Sequence, residues 1–207
     1  MRAVLSILIP TIPSRSVEFI KLTSNVTHQV MTMRMTHPTL GTVQLISDSA
    51  DEYLNGGPSI GKKRQSLIQK ATGKYLCFLD DDESISPMYV ESLVRLCHHD
   101  KDVVTFRSFV KTDFYWGLVD MSLENEINEE TGPDRIIKRT PWPCCPVRSR
   151  FAQKYSFPDT NYSEDWEWME KVLKLCSNEI HTDQILLQYN HSSIKSESDK
   201  IIKAGYA

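Results

Sequence analysis

Three short apolar runs, over residues 3–9, 42–46 and 75–79, each give way to a stretch of helical spacing, and this alternation restricts the first half of the chain to one architecture. The first run is continuous rather than alternating, as expected of a buried strand, and is stopped by Pro10. Helices are predicted over 17–30 and over 60–71, the second closed by Gly73 as its C′ residue. A third helix is predicted to open with Ser86 as N-cap and Pro87 at N1, with Leu93, Val94, Leu96 and Cys97 on its apolar side. Strand and helix in strict alternation imply a parallel sheet with helices on both faces. Ligands of such sheets bind beyond the carboxyl ends of the strands, so residues just past positions 9, 46 and 79 carry the functional interest.

The second half reads differently. Strands are expected over 103–110 and 114–119, an exposed acidic loop over 124–134, an irregular segment at Thr140-Pro141-Trp142-Pro143, and helices over 147–155 and 164–175. The organisation expected is a single domain over 1–207, in two halves (1–100 and 101–195) with a polar, mobile tail (196–207). With 40% hydrophobic and 25% charged residues the chain can bury a real core, which excludes wholesale disorder. A net charge of −3 gives no general attraction to nucleic acid or anionic membrane. The five cysteines form no CxxC pair; Cys77 and Cys97 read as buried thiols and Cys144-Cys145 as two loop thiols, which favours a reducing compartment. No run is long enough to span a bilayer, and residues 4–9 are too few for a signal segment, so a soluble, cytoplasmic protein is expected.

The third strand runs directly into Asp80-Asp81-Asp82-Glu83. Two carboxylates about 4 Å apart repel by roughly 1 kcal/mol in water and about 4 kcal/mol at an effective dielectric of 20. A solvated turn spreads that charge into water; a divalent cation held by oxygen ligands removes it, and carboxylates with open positions suit Mn2+ or Mg2+. The location of the acids, where the sheet should bind its ligand, favours the cation. Glu164-Asp165 opens a helix, where acids also serve the dipole, and Trp166 and Trp168 beside them are open to packing or ring-stacking roles.

Taken in order, these segments resemble the family 2 glycosyltransferases. Leu5-Ser6-Ile7-Leu8-Ile9-Pro10-Thr11 with Arg15 resembles the family's opening strand and donor-binding loop, and Ile46-Ser47-Asp48-Ser49 its second strand and acidic turn. Gly61-Lys62-Lys63-Arg64 through Asp80-Asp81-Asp82 is similar to the basic helix followed by the DxD strand, and Ser163-Glu164-Asp165-Trp166 to the ED motif. The second strand ends in Ser47-Asp48 rather than two acids, and the basic helix continues Arg64-Gln65 rather than Arg-Asn. The resemblance implies a single α/β domain of the GT-A, Rossmann-like kind, with a mostly parallel central sheet flanked by helices and a mixed second half. It implies a metal-dependent inverting transferase that uses a nucleotide-sugar donor, UDP-linked by preference.

The same resemblance assigns roles. Pro10, Thr11 and Arg15 would lie along the donor, Asp48 on its base, Asp80 on the ribose with Asp81 beside it, and Arg64 at the phosphates. Asp82 would ligate Mn2+ or Mg2+, with His191 as a late third ligand. Asp165 would be the catalytic base with Glu164 shaping the acceptor pocket, and Trp142, Trp166 or Trp168 would stack on the acceptor. Arg148 and Arg150 are read as meeting a charged acceptor or the diphosphate, and His98-His99 as serving a helix dipole. Two other readings compete. A sugar nucleotidyltransferase wants a glycine-rich loop after the first strand, and residues 10–16 contain no glycine. A non-catalytic nucleotide- or carbohydrate-binding protein would not need both Asp82 and Asp165. The acceptor is left open between glycan, lipid-linked sugar, protein and modified nucleic acid.

Overall fold

The computed structural model describes residues 2–51, 53–112, 116–125, 129–131 and 136–190. The three apolar runs are strands β1 (Leu5–Pro10), β2 (Val43–Asp48) and β3 (Tyr75–Phe78). β1 lies in the middle of the trio and pairs with both neighbours in parallel, Leu5 opposite Val43 on one side and Tyr75 on the other. Their side chains, from Leu5 through Ile9 and Tyr75 through Leu79, are fully buried or nearly so. The carboxyl ends of all three therefore meet at one edge, at Pro10, Asp48 and Asp80.

Helix α1 (Ser16–Thr36) runs six residues beyond the predicted end, because nothing breaks it before Pro38, which disfavours helix at His37. Helix α2 (Ile60–Lys70) ends as expected, but Gly73 is not its left-handed cap, and only Gly41 and Gly56 among the described glycines have positive φ. Gly73 is small because a Cβ would lie 2.7 Å from the Ser6 amide nitrogen. Strand β4 (Ser84–Ile85) precedes α3 (Tyr89–Cys97), which starts after the predicted Ser86-Pro87 cap. Its first turn is served by buried Gln29 of α1, which accepts from the Val90 amide at 3.0 Å and donates to the Ser86 carbonyl at 2.9 Å. A distant side chain has replaced the local cap.

The sheet then continues through the second half. β5 (Val103–Lys111) and β6 (Trp116–Met121) form an antiparallel pair, followed by β8 (Ile136–Arg139) beside β6 and β7 (Glu129–Thr131) at the rim, within the segment read as an acidic loop. The helix predicted over 147–155 is instead a two-residue strand β9 (Val147–Arg148) and a single turn α4 (Ser149–Ala152). β9 fills the gap between β3 and β5, with Val147 opposite both Leu76 and Val103, and that pairing outweighs local helical preference. After α5 (Glu164–Leu173), the twelve-residue strand β10 (Glu179–Asn190) pairs in parallel with β5 and antiparallel with β4. The sequence did not announce β10, since register shifts between Thr182, Ile185 and Leu187 break its alternation. Among the described residues, ten strands thus form one mostly parallel sheet that runs through both halves. The predicted tail, 196–207, lies outside the described residues. Among the described residues no helix is long and apolar enough to cross a membrane.

Candidate active site

Two packing arrangements bring the acids of β3 and α5 together. The first is aromatic. Phe78 on β3 meets Trp168 of α5 edge-on at 5.9 Å between ring centroids, and Phe157 stacks on Trp168 at 4.7 Å. Such pairs contribute about 0.5–1.5 kcal/mol each beyond the area they bury. The second is a wrap around the start of α2. Ser59 caps it through the Lys62 amide at 3.2 Å, Asn161 accepts from the Ile60 amide at 3.1 Å, and the Thr160 carbonyl accepts from the Gly61 amide at 3.1 Å. Gly61 is required there, because a Cβ would fall 1.9 Å from the Pro158 carbonyl oxygen. The chain then turns through Ser163, at φ 59°, a left-handed conformation that is costly for a non-glycine residue, and starts α5 with Glu164 and Asp165.

At the edge of the sheet the acids have distinct partners. Asp81 is buried, accepting from the Thr11 hydroxyl at 2.7 Å and from Arg15 at 2.9 Å, so it holds the loop after β1 in place. Arg15 also reaches Asp82 at 3.0 Å. Arg64 donates from Nη2 to Asp80 at 3.1 Å and 3.3 Å, and from Nε to Glu164 at 3.1 Å. Burial opposes the Arg64 charge, but Asp80 and Glu164 outweigh it and hold the guanidinium firmly protonated. Asp48 stands beside Pro10 in register and accepts from the Ala50 amide, while its carbonyl takes the Thr11 amide at 2.9 Å. Asn190, the last described residue of β10, donates to the Asp82 carbonyl at 3.0 Å. His191 lies outside the described residues.

These groups line three clefts in series. The first, of about 90 Å³, is formed by Pro10, Thr11, Ile12, Arg15, Ile60, Lys63, Arg64, Asp80 and Asp81. The second, of about 260 Å³, shares Arg64 and Asp80 with the first and adds Phe78, Glu83, Arg139, Trp142, Pro143, Cys144, Asp165 and Tyr189. The third, of about 400 Å³, shares Trp142, Pro143 and Asp165 with the second and is walled by Leu123, Thr140, Pro141, Trp166, Met169, Glu170, Leu173, Lys174 and Cys176. Asp165 therefore stands where a cleft lined by several charged residues opens into a mostly apolar one.

Burial raises the carboxyl of Asp82 to about 6, with Arg15 pulling it down and Asp80 and Asp81 adding to the rise. Glu83 is pushed well up by burial and by the charge of Asp80. Burial lowers Arg139 to about 10, and its guanidinium lies 4.1 Å from the Trp142 ring centroid and 5.8 Å from that of Trp166.

Several expected roles are corrected. Trp168 is 1% exposed, packed between Phe78 and Phe157, and offers no face to an acceptor. Glu164 borders none of the three clefts; its buried carboxylate is turned onto Arg64, so it positions that residue instead of shaping an acceptor pocket. Arg148 and Arg150 sit at the opposite end of the sheet, paired with Asp100 and Asp102. Residues with no assigned role in the sequence also reach the clefts. Lys63, in the basic helix, is buried in the first; Arg139 and Tyr189 line the second. The basic and aromatic character of 138–150 was a signal for Arg139. Nothing local marked Lys63.

Residues 57–154 match the glycosyl transferase family 2 model. Solved structures of S. aureus TarS are similar across nearly the whole chain. A fragment in complex with UDP-GlcNAc superposes with a TM-score of 0.61 at 16% identity, covering 92% of this chain and 59% of that one. A fragment in complex with UDP gives 0.59 at 17% identity, covering 93% and 61%. A longer TarS structure gives 0.59 at 15% identity, covering 93% and 37%. The chain thus spans less than two thirds of each of these structures, and the likeness shows the fold, a GT-A arrangement of mixed α/β type. No curated protein matches the chain.

Proposed function

We infer, since the chain is a family 2 glycosyltransferase by its residues 57–154, that it transfers a sugar from a nucleotide-sugar donor to an acceptor hydroxyl with inversion at the anomeric carbon. The observation that carries this reading is the position of Asp165, shared by the second and third clefts. Inverting transfer needs a single base, which takes the acceptor proton as the oxygen attacks while the diphosphate leaves from the other face. A carboxylate at the junction can face both a sugar on the polar side and a hydroxyl on the apolar side. The first cleft then takes the nucleotide, and Trp142 and Trp166 offer aromatic surface to the acceptor. A UDP-sugar is the donor class we propose, the class bound in the similar TarS fragment.

A divalent cation belongs to this proposal. Among the described residues no group of three or more His, Cys, Asp or Glu side chains is arranged to hold a metal. The carboxylate chemistry at Asp82 nevertheless fits Mn2+ or Mg2+, which commonly use one or two carboxylates together with substrate phosphates. Asp82 would hold the ion, with His191 as a further ligand in the same proposal. The bound ion would supply charge neutralisation for the departing diphosphate. Arg15 orients the Asp82 carboxylate, and Asp81 in turn anchors Arg15. The described cysteines are free thiols, four of them buried, which supports a reducing location such as the cytoplasm. The test is a panel of nucleotide sugars with released nucleotide measured, with and without Mn2+. Metal-dependent release from a UDP-sugar is expected. If no activated sugar in the panel is turned over with a varied set of acceptors, the reading fails.

A further inference from the structure

The third cleft is the largest of the three, at about 400 Å³, and its surface is the most apolar. Trp142, Trp166, Met169 and Leu173 supply much of its wall, and Pro141 and Pro143 add backbone that has no amide hydrogen to donate. Two of its charged residues, Glu170 and Lys174, are spent on each other at 2.9 Å. The Cys176 thiol donates to the Val172 carbonyl at 3.6 Å. Asp165 stands where this cleft meets the second, so a hydroxyl presented to it can belong to a molecule whose body lies on the apolar side.

We propose that the acceptor is an apolar alcohol, a hydroxyl carried on a largely hydrocarbon body that fills the third cleft, and not a free saccharide. The proposal rests on the donor reading above, with Asp165 as the base, and extends it to the class of acceptor. In the transfer, Asp165 takes the hydroxyl proton and the oxygen bonds to the anomeric carbon. The bond from that carbon to the diphosphate oxygen breaks, and its electron pair leaves with the nucleoside diphosphate. Two features favour this class. A saccharide carries a hydroxyl on almost every carbon, and each would give up water to face proline, leucine and methionine side chains that return no hydrogen bond. A hydrocarbon body gains from the same walls, by about fourfold in affinity for each methylene removed from water. The second feature is the change of character across Asp165. Arg64, Asp80, Glu83 and Arg139 line the cleft on its other side and serve a polar reactant there, which leaves the third cleft to the apolar one.

The experiment titrates butan-1-ol, hexan-1-ol and octan-1-ol, with methyl glucoside as their polar counterpart, into the chain in the presence of UDP and Mn2+, by calorimetry. Affinity should rise about tenfold or more from each alcohol to the next, and methyl glucoside should bind more weakly than octan-1-ol by at least the same factor. Leu173→Gln changes a residue that lines the third cleft and neither of the others. It should weaken octan-1-ol about tenfold, flatten the series and leave the affinity for UDP unchanged. With a UDP-sugar in place of UDP, the KM for the alcohols should fall in the same order. A flat series, methyl glucoside binding tighter than octan-1-ol, or alcohol binding that Leu173→Gln does not weaken overturns the assignment. So does a wild type that sediments as a self-associated species which Leu173→Gln dissociates, since a second copy then covers the cleft. Transfer to methyl glucoside but to none of the alcohols sinks this inference alone; a chain that consumes no activated sugar sinks the donor reading, and the acceptor role with it. Should Leu173→Gln fail to fold, Leu123→Gln, elsewhere in the same wall, decides.

Discussion

Asp165→Asn keeps the outline of the side chain and removes its ability to take a proton. Placed between the second and third clefts, the substitution is expected to lower transfer about 10²–10⁴-fold while UDP binding, measured separately, stays at the wild-type level. Transfer at the normal rate would remove Asp165 as the base. Asp82 supports a prediction in pH. Burial holds its carboxyl at about 6 against an ordinary 3.8. The folded state therefore binds that proton more tightly than the unfolded one, so this group's contribution to stability is fully present below about 3.8 and is lost as pH rises through about 6. The metal-free protein should lose thermal stability across that window, Asp82→Asn should lose less, and Mn2+ at neutral pH should restore the difference. Unfolding midpoints of both proteins from pH 4 to 7 check this, and parallel curves for the two would refute it.

Helix α5 presents two tryptophans two positions apart, which a helix turns to nearly opposite sides. Trp168 faces Phe78 and Phe157, while Trp166 faces the third cleft. Trp168→Ala is therefore expected to cost about 3–5 kcal/mol of stability, and Trp166→Ala to leave the unfolding midpoint close to wild type while raising the KM for the acceptor. Denaturant unfolding and acceptor titration of the two variants separate the effects; a large stability loss in Trp166→Ala would place it in the core instead. The sequence could not divide these roles, because both residues carry the same chemistry and only the packing of β3 against α5 decides which faces inward. The same limit applied at α2. Lys62, Lys63 and Arg64 are alike in sequence as members of one basic helix, yet Lys62 pairs at the surface with Asp159 while Lys63 and Arg64 are buried.

Across the whole molecule, legibility followed burial. β1 and β3 were readable because strands covered on both faces are continuous apolar runs, β2 at the sheet edge only from a shorter and partly polar run, and the site acids were readable because they stand immediately beyond those runs. β9 and β10 were not, since one is two residues long and set by its neighbours and the other is bulged and largely polar. The clefts themselves depended on contacts made far along the chain, above all the clasp of residues 158–161 on α2. Arg64 gives that clasp a consequence. A single guanidinium is gripped by Asp80 just beyond β3 and by Glu164 at the start of α5. A donor that draws Asp80 toward itself must reset the same ion that steadies Glu164. On the proposed function, occupancy of the donor cleft would then be felt at the helix that carries Asp165, and thermodynamic reciprocity would require each substrate to alter the other's affinity by the same factor.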